Sequence, residues 1–256
     1  MSTPDTLVVT ATLGNRPTLS RTIKTVKEIG GKRVRHIIVA PRESCQSIRQ
    51  RYPDLTVVEE PENCNGIYRA LNHGLKMFAS DFKYVTYIND DDYWTPGFKF
   101  LFDEIDRHND VDVVYGRVNY VNSKGVVIGE QTSSPRYQDF GILLLKEVVL
   151  FTQQATLTKS QLFLKLEGFD ESFKLVADTK FWLEAININS KFRYVNKICA
   201  GYTIQQGQLS SNKKLQQEEH ERLILSNEIV NPFLVMIKIL LFRLWNIKIY
   251  FKRFIN

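Results

Sequence analysis

Cysteine is scarce in this chain. Cys45, Cys64 and Cys199 are odd in number and widely spaced, which fits a reducing, cytoplasmic setting and excludes a disulfide framework or a paired-thiolate zinc site. The four histidines, His36, His73, His108 and His220, show no ligand spacing either. The N-terminus lacks the basic and apolar stretches of a secretion signal. No internal repeat or low-complexity segment interrupts the chain, so neither a repeat array nor a disordered spacer is expected. Glycine is sparse after the first apolar run, where Leu13-Gly14-Asn15-Arg16-Pro17 has a single one. A nucleotidyltransferase would need a Gly-rich phosphate loop there.

Excess charge is also missing from the body of the protein. The chain has 256 residues and a formal charge of +6. Residues 231–256 carry Lys238, Arg243, Lys248, Lys252 and Arg253 and no acid, and without that tail the charges nearly balance. A nucleic-acid-binding body would carry its own basic excess, so nucleic acid is not an expected partner. With 43% hydrophobic and 24% charged residues, the composition is that of a globular protein, one large domain or a domain with an appendage.

What is present is an alternation of strands and helices. Thr6–Thr12 reads as a buried strand, Thr18–Ile29 as a helix ended by Gly30-Gly31, Val34–Ala40 as a strand, Ser44–Tyr52 as a helix and Leu55–Glu59 as a strand. Over Ile67–Ala79, Ile67, Ala70, Leu71, Gly74, Leu75 and Phe78 share one helical face. A strand over Tyr84–Ile88 follows, then a helix over Pro96–Asn109, a strand over Val111–Tyr115 and a hairpin over Val118–Ile128 turning at Ser123-Lys124-Gly125. Residues 137–166 are expected to carry two short helices around Leu150–Leu157, followed by a helix over Lys180–Ile188 with Asp178 at its mouth and two short strands around Arg193 and Tyr202. Alternation of this kind predicts βαβ units and a mostly parallel sheet with ligands at its carboxyl edge.

The chain is organised around Asn89-Asp90-Asp91-Asp92, between the strand over Tyr84–Ile88 and Thr95-Pro96-Gly97. Adjacent carboxylates repel one another unless a cation sits among them. Carboxylate oxygens at a strand end suit Mg²⁺ or Mn²⁺, which can also bridge phosphates. One reading is therefore a divalent cation holding a nucleotide diphosphate. The other is a solvated acidic turn capping the helix that begins near Thr95.

Several short stretches resemble, in order and spacing, the family 2 glycosyltransferases, inverting enzymes of the GT-A fold, and especially their colanic-acid-type members. The resemblance runs from about residue 6 to 225 and rests on Thr10-Ala11-Thr12, Gly66 to Gly74, Asn89 to Asp92 with Pro96, Gln153-Gln154-Ala155-Thr156, Gly168-Phe169-Asp170-Glu171 and Ala177-Asp178. It implies an α/β, GT-A (Rossmann-like), mostly parallel central sheet flanked by helices. It also implies transfer of a sugar from a UDP- or GDP-linked donor, with Mn²⁺ or Mg²⁺, to a hydroxyl of a glycan or lipid-linked glycan, as in bacterial surface polysaccharide synthesis.

Carried over residue by residue, the resemblance makes Asp91 the metal ligand and places Asp90 at the ribose or the metal's water shell. Asp92 would orient the donor sugar, and Asp178 would be the general base, with a helix cap as its plain alternative. Thr10, Ala11 and Thr12 match the nucleotide-contacting loop, or are simply a buried strand end. Asn72 reaches the donor or caps a turn, and Gln154 touches donor or acceptor or is a satisfied buried amide. Trp94 and Trp182 stack on sugar or belong to the core. Gly207–Ser211 resembles a mobile loop that closes over the site. Ala40 departs from the family, whose second strand ends in an Asp that reads the base, and Arg69 stands where colanic-acid-type members have Asp.

Residues 1–211 are expected to form the transferase domain and 212–256 a helical extension. In its tail, Lys238, Arg243 and Lys248 break every apolar window long enough to span a bilayer. Cations without acids, mixed with Leu, Ile, Phe and Trp, suit peripheral contact with an anionic membrane at the cytoplasmic face. A core or dimer helix is the alternative. The rival functions are a nucleotidyltransferase and an inactive membrane-bound scaffold.

Overall fold

The computed structural model of the chain describes residues 3–205, 212–225 and 231–255. Its elements are β1 (Thr6–Ala11), α1 (Leu19–Gly30), β2 (Val34–Ala40), α2 (Arg42–Arg51), β3 (Thr56–Glu59), α3 (Ile67–Phe78) and β4 (Tyr84–Tyr87). There follow β5 (Tyr93–Trp94), α4 (Lys99–Arg107), β6 (Val113–Val121), β7 (Val127–Glu130), α5 (Phe140–Leu144), β8 (Thr156–Lys159) and α6 (Ser160–Lys165). Last come α7 (Ala177–Asn187), β9 (Phe192–Thr203), α8 (Lys213–Leu225), α9 (Pro232–Trp245) and α10 (Ile247–Ile255).

One sheet runs in the order β3-β2-β1-β4-β8-β6-β9-β5, with β7 paired to β6. Its first four strands are parallel, and β8 then pairs antiparallel with both β4 and β6. The chain leaves β1 toward β2 and β3 and returns to β4 on the other side of β1, so a crevice opens between the carboxyl ends of β1 and β4. That is where an α/β sheet binds ligands. Strand β1 is buried throughout, covered on one face by the apolar side of α3. Gly74 of α3 lies against the sheet: a Cβ there would sit 2.6 Å from Val39 Cγ2, so helix and sheet approach closely only without one.

Three expectations are corrected here. Two short helices, α5 and α6, do fall within 137–166, but Thr156–Lys159 between them is a strand, because Thr156 and Thr158, both buried, fit the pleat between β4 and β6. The two short strands around Arg193 and Tyr202 are one strand, β9, which follows β6 through register shifts at Arg117. Helix α7 also starts earlier than expected, at Ala177. Trp94 and Trp182 are core residues: Trp94 stacks on Phe98 at 3.7 Å, and Trp182 packs edge-on against Phe181 at 4.8 Å.

The C-terminal helices share the core of the sheet. Leu223 of α8 and Phe242 of α9 join the cluster that contains Leu7, Tyr115 and Phe181. Asn246, the buried break between α9 and α10, donates through Nδ2 to Ser133 O at 2.9 Å and accepts from Ser133 N at 3.1 Å. No described helix is long and apolar enough to cross a membrane.

Candidate active site

The acidic triplet leaves β4 at the crevice, and each of its three carboxylates is held differently. Thr12, just past β1, donates to Asp90 Oδ2 at 2.6 Å and accepts from Gly14 N at 3.0 Å. Arg16, on the loop between β1 and α1, donates through Nη1 to Asp91 Oδ2 at 2.5 Å and places Nε 3.3 Å from Asp90 Oδ1. Gln205 Nε2 donates to the same Asp91 oxygen at 3.2 Å. Asp92 is fully buried. It accepts from Thr203 N at 2.8 Å, Gln154 Nε2 at 2.6 Å and Asn89 Nδ2 at 3.3 Å. Burial, reinforced by Asp91, pushes its pKa up to about 8. Burial also raises that of Asp90.

Asp178 sits in the first turn of α7, where carboxylates are favoured. Its Oδ1 accepts from Thr179 N at 2.8 Å and lies 3.1 Å from the Tyr68 hydroxyl. Tyr68, from α3, also reaches Leu175 O at 3.0 Å. The loop before α7 is fixed from outside by Glu219 of α8, whose carboxylate accepts from Lys174 N at 2.7 Å, Leu175 N at 2.9 Å and Val176 N at 3.2 Å. Packing around the Asp178 carboxyl raises its pKa, and the Tyr68 hydroxyl partly offsets this.

Ala11, Arg16, Asn89, Asp90, Asp91, Gln154 and Asp178 line one cleft of about 310 Å³. Four site residues singled out from the sequence do not line it, among them Thr12, which is buried behind Asp90. Thr10 is a buried strand end, donating to Ile88 O at 2.8 Å and lying 2.9 Å from His36 Nε2. Asn72 clasps the turn after α6, donating to Phe169 O at 2.7 Å and accepting from Phe169 N at 2.8 Å. That turn needs Gly168, with φ +81° and room for a Cβ only 2.5 Å from Asn72 Oδ1. Asp92 points inward and ties the triplet to β9 and Gln154, because backbone and amide donors meet it there. The loop expected at Gly207–Ser211 lies outside the described residues.

Sequence reasoning missed Arg16, Tyr68 and Glu219, and also Gln131, which lines the cleft. Arg16 lay beside the turn already noted, and a lone cation after a strand preceding an acidic triplet is a signal that pairing could have revealed. The others act across long sequence separations, where one sequence carries no signal.

Mg²⁺ makes do with one or two carboxylates when phosphates and water complete its shell. Asp90 and Asp91 supply adjoining hard oxygens on the cleft wall and fit such a shared cation. No group of three or more His, Cys, Asp or Glu side chains able to hold a metal occurs among the described residues, so the protein alone offers no complete metal cage.

The fold recurs in proteins of known structure. The S. aureus TarS 1-349 structure in complex with UDP-GlcNAc superposes with a TM-score of 0.66 at 17% identity, over 88% of this chain and 68% of that one. A longer TarS structure matches with a TM-score of 0.62 at 17% identity, over 88% of this chain and 40% of its own. The mannosyltransferase PcManGT from Pyrobaculum calidifontis, in complex with GDP-Man and Mn²⁺, gives a TM-score of 0.57 at 14% identity, over 90% and 67%. Identities this low establish the GT-A fold alone. No curated protein matches in sequence. The family model described as glycosyl transferase family 2 matches residues 7–163, more than half of the chain, and the protein belongs to that family.

Proposed function

We propose that this glycosyltransferase is a metal-dependent, inverting enzyme that moves a sugar from a UDP- or GDP-linked donor to a hydroxyl of a glycan or lipid-linked glycan. The observation that carries the reading is that Asp178 lines the same cleft as Asp90 and Asp91. Asp91, with Asp90 beside it, would hold the Mg²⁺ or Mn²⁺, whose charge offsets the negative charge developing on the departing diphosphate. Ala11, with Thr12 behind it fixing Asp90, forms the nucleotide wall. Arg16 moves its guanidinium from Asp91 onto the donor's phosphates.

Asp178 takes the acceptor hydroxyl's proton as the new oxygen–carbon bond forms and the bond to the diphosphate oxygen breaks on the opposite face, which inverts the anomeric centre. Tyr68 and Glu219 hold Asp178 in place. Gln154 donates to Asp92 and lines the cleft together with that base, where it would touch donor or acceptor. The motif order supports the colanic-acid-type subgroup and surface polysaccharide synthesis. Residues 1–211 would carry the chemistry, and 212–256 the packing extension that faces an anionic membrane at the cytoplasmic side.

Incubation of the purified protein with Mn²⁺ and a panel of nucleotide sugars tests the reading. Release of nucleoside diphosphate from one donor is expected, with the anomeric configuration of the product inverted. Pyrophosphate release would indicate nucleotidyl transfer, and no turnover at all a scaffold.

A further inference from the structure

The cleft has a second wall that the donor chemistry leaves unused. Gln131 follows β7, is 1% exposed, and neither its Nε2 nor its Oε1 has a hydrogen-bond partner among the described residues. Buried amides are almost always paired, because desolvating one without a partner is costly. Gln131 also lines the cleft, so a ligand seated there could supply the partners that its amide lacks among the described residues. The Thr152 hydroxyl, on the same wall, is likewise buried without a partner. Beside them stand Tyr120 of β6 and Tyr202 of β9, packed edge to face at 5.9 Å.

This set is neutral, whereas Arg16, Asp90 and Asp91, which line the same cleft, are charged. An amide offers a donor and an acceptor side by side, which matches a pair of neighbouring hydroxyls, each able to give and to take. Tyrosine rings supply flat apolar faces with polar tips, suited to the C–H face of a pyranose. The cations nearest to Gln131, Arg117, Lys252 and Arg253, are engaged by Glu130.

The wall is also held rigid from behind. Gln131 N donates to Val118 O at 3.0 Å, and two residues on Ser133 is clamped by Asn246 between α9 and α10. The position of Gln131 therefore depends on the docking of the C-terminal helices.

We propose that Gln131, with Thr152 and the Tyr120–Tyr202 pair, recognises a neutral pyranose ring of the acceptor and sets acceptor specificity, an inference that rests on the transferase reading above. Saturation-transfer NMR with a panel of methyl glycosides, run in the presence of UDP or GDP with Mn²⁺, tests it. At least one glycoside is expected to bind the wild type. Gln131→Leu, which keeps the side chain's bulk and removes its amide, should weaken that binding by about tenfold, the worth of a lost hydrogen bond to a buried polar group. Thr152→Val, nearly isosteric, should weaken it in the same direction and decides the matter should the Leu variant fold poorly by circular dichroism.

Nucleoside diphosphate affinity, titrated calorimetrically, is expected to stay within about twofold of wild type in both variants. Equal glycoside binding in wild type and variants, or none in the wild type, overturns the assignment. Loss of nucleotide affinity in the variants would move Gln131 to the donor side and overturn it as well. Failure of wild-type nucleotide binding would instead sink the transferase reading, with the glycoside result read independently.

Discussion

Arg16 places its Nη1 2.5 Å from Asp91 Oδ2 and its Nε 3.3 Å from Asp90 Oδ1, so one guanidinium spans the two carboxylates that line the cleft. Adjacent carboxylates in a confined site demand a positive charge, and here the chain supplies one from its own loop. Arg16 is about one-third exposed in its side chain, and it stands on a loop rather than a strand. On the proposed reading a divalent cation arriving with a diphosphate would displace it, and the freed guanidinium would then meet the phosphates. Joint binding of metal and nucleotide would then be favoured over binding of metal alone.

Two variants separate these contributions. Asp91→Asn is expected to lower Mn²⁺-dependent affinity for nucleoside diphosphate by ~10-fold or more, as for loss of a charge-assisted contact, with little change in melting temperature. Arg16→Gln removes the competing cation, so Mn²⁺ without nucleotide should bind more tightly than to wild type, read from the spectrum of free Mn²⁺. Unchanged nucleotide affinity in Asp91→Asn would remove Asp91 from the metal assignment.

Asp178→Asn should leave nucleotide affinity nearly unchanged and reduce turnover by ~10² to 10⁴, the usual worth of a positioned base. The acid limb of the kcat/KM profile should lie above the ordinary carboxylate range, because packing around Asp178 raises its pKa. Tyr68→Phe removes the hydroxyl that partly offsets this rise, so the limb should move to higher pH. A limb that stays put would make Tyr68 a packing residue only.

Asp92 predicts a pH dependence of stability. Its pKa is raised from 3.8 to about 8 in the folded protein, so the folded state holds this proton more tightly than the unfolded chain. The linked stability is fully present below the unfolded pKa and is lost as pH rises through the folded one. Asp92→Asn cannot titrate. Relative to that variant, the wild type should lose melting temperature between about pH 4 and about pH 8, at roughly 2–4 °C per kcal/mol in a chain of this size. Parallel melting curves for the two proteins across that range would show that Asp92 stays ionised.

Much of the parallel half of the sheet was legible, because β1, β2 and β4 are continuous apolar runs closed by turn residues and the helices between them carry one apolar face. The antiparallel half was not. Strand β8 is Thr-rich and four residues long, and its identity is settled by the neighbours it fits between rather than by its own pattern. The acidic triplet was visible as a charge anomaly, yet which carboxylate faces the cleft depends on donors 62 and 111 residues away, Gln154 and Thr203. Gln131 stood out least, since an amide in a hairpin reads as surface, and only its burial without partners marks it.

The C-terminal helices leave an apolar surface uncovered. Phe233, Met236, Leu240, Leu244, Trp245, Ile247 and Phe251 are each 45% or more exposed, an arrangement that soluble surfaces rarely sustain over adjoining helices. Lys238 is occupied by Asp139 at 2.6 Å, and Arg253 donates to Glu130 O at 2.9 Å. Arg243 and Lys248 have no ion-pair partner among the described residues, which leaves two cations beside the apolar face, the combination that suits an anionic lipid surface. Trp245 is 57% exposed, whereas Trp94 and Trp182 are buried, so a blue shift of emission on adding vesicles reports the tail itself. Vesicles containing phosphatidylserine should produce that shift in a salt-sensitive way. Arg243→Glu with Lys248→Glu should weaken binding by ~10-fold or more, at about 1 kcal/mol per cation, while nucleotide affinity is retained. Concentration-dependent dimerisation by sedimentation, with no shift on vesicles, would assign the same face to a second copy of the chain.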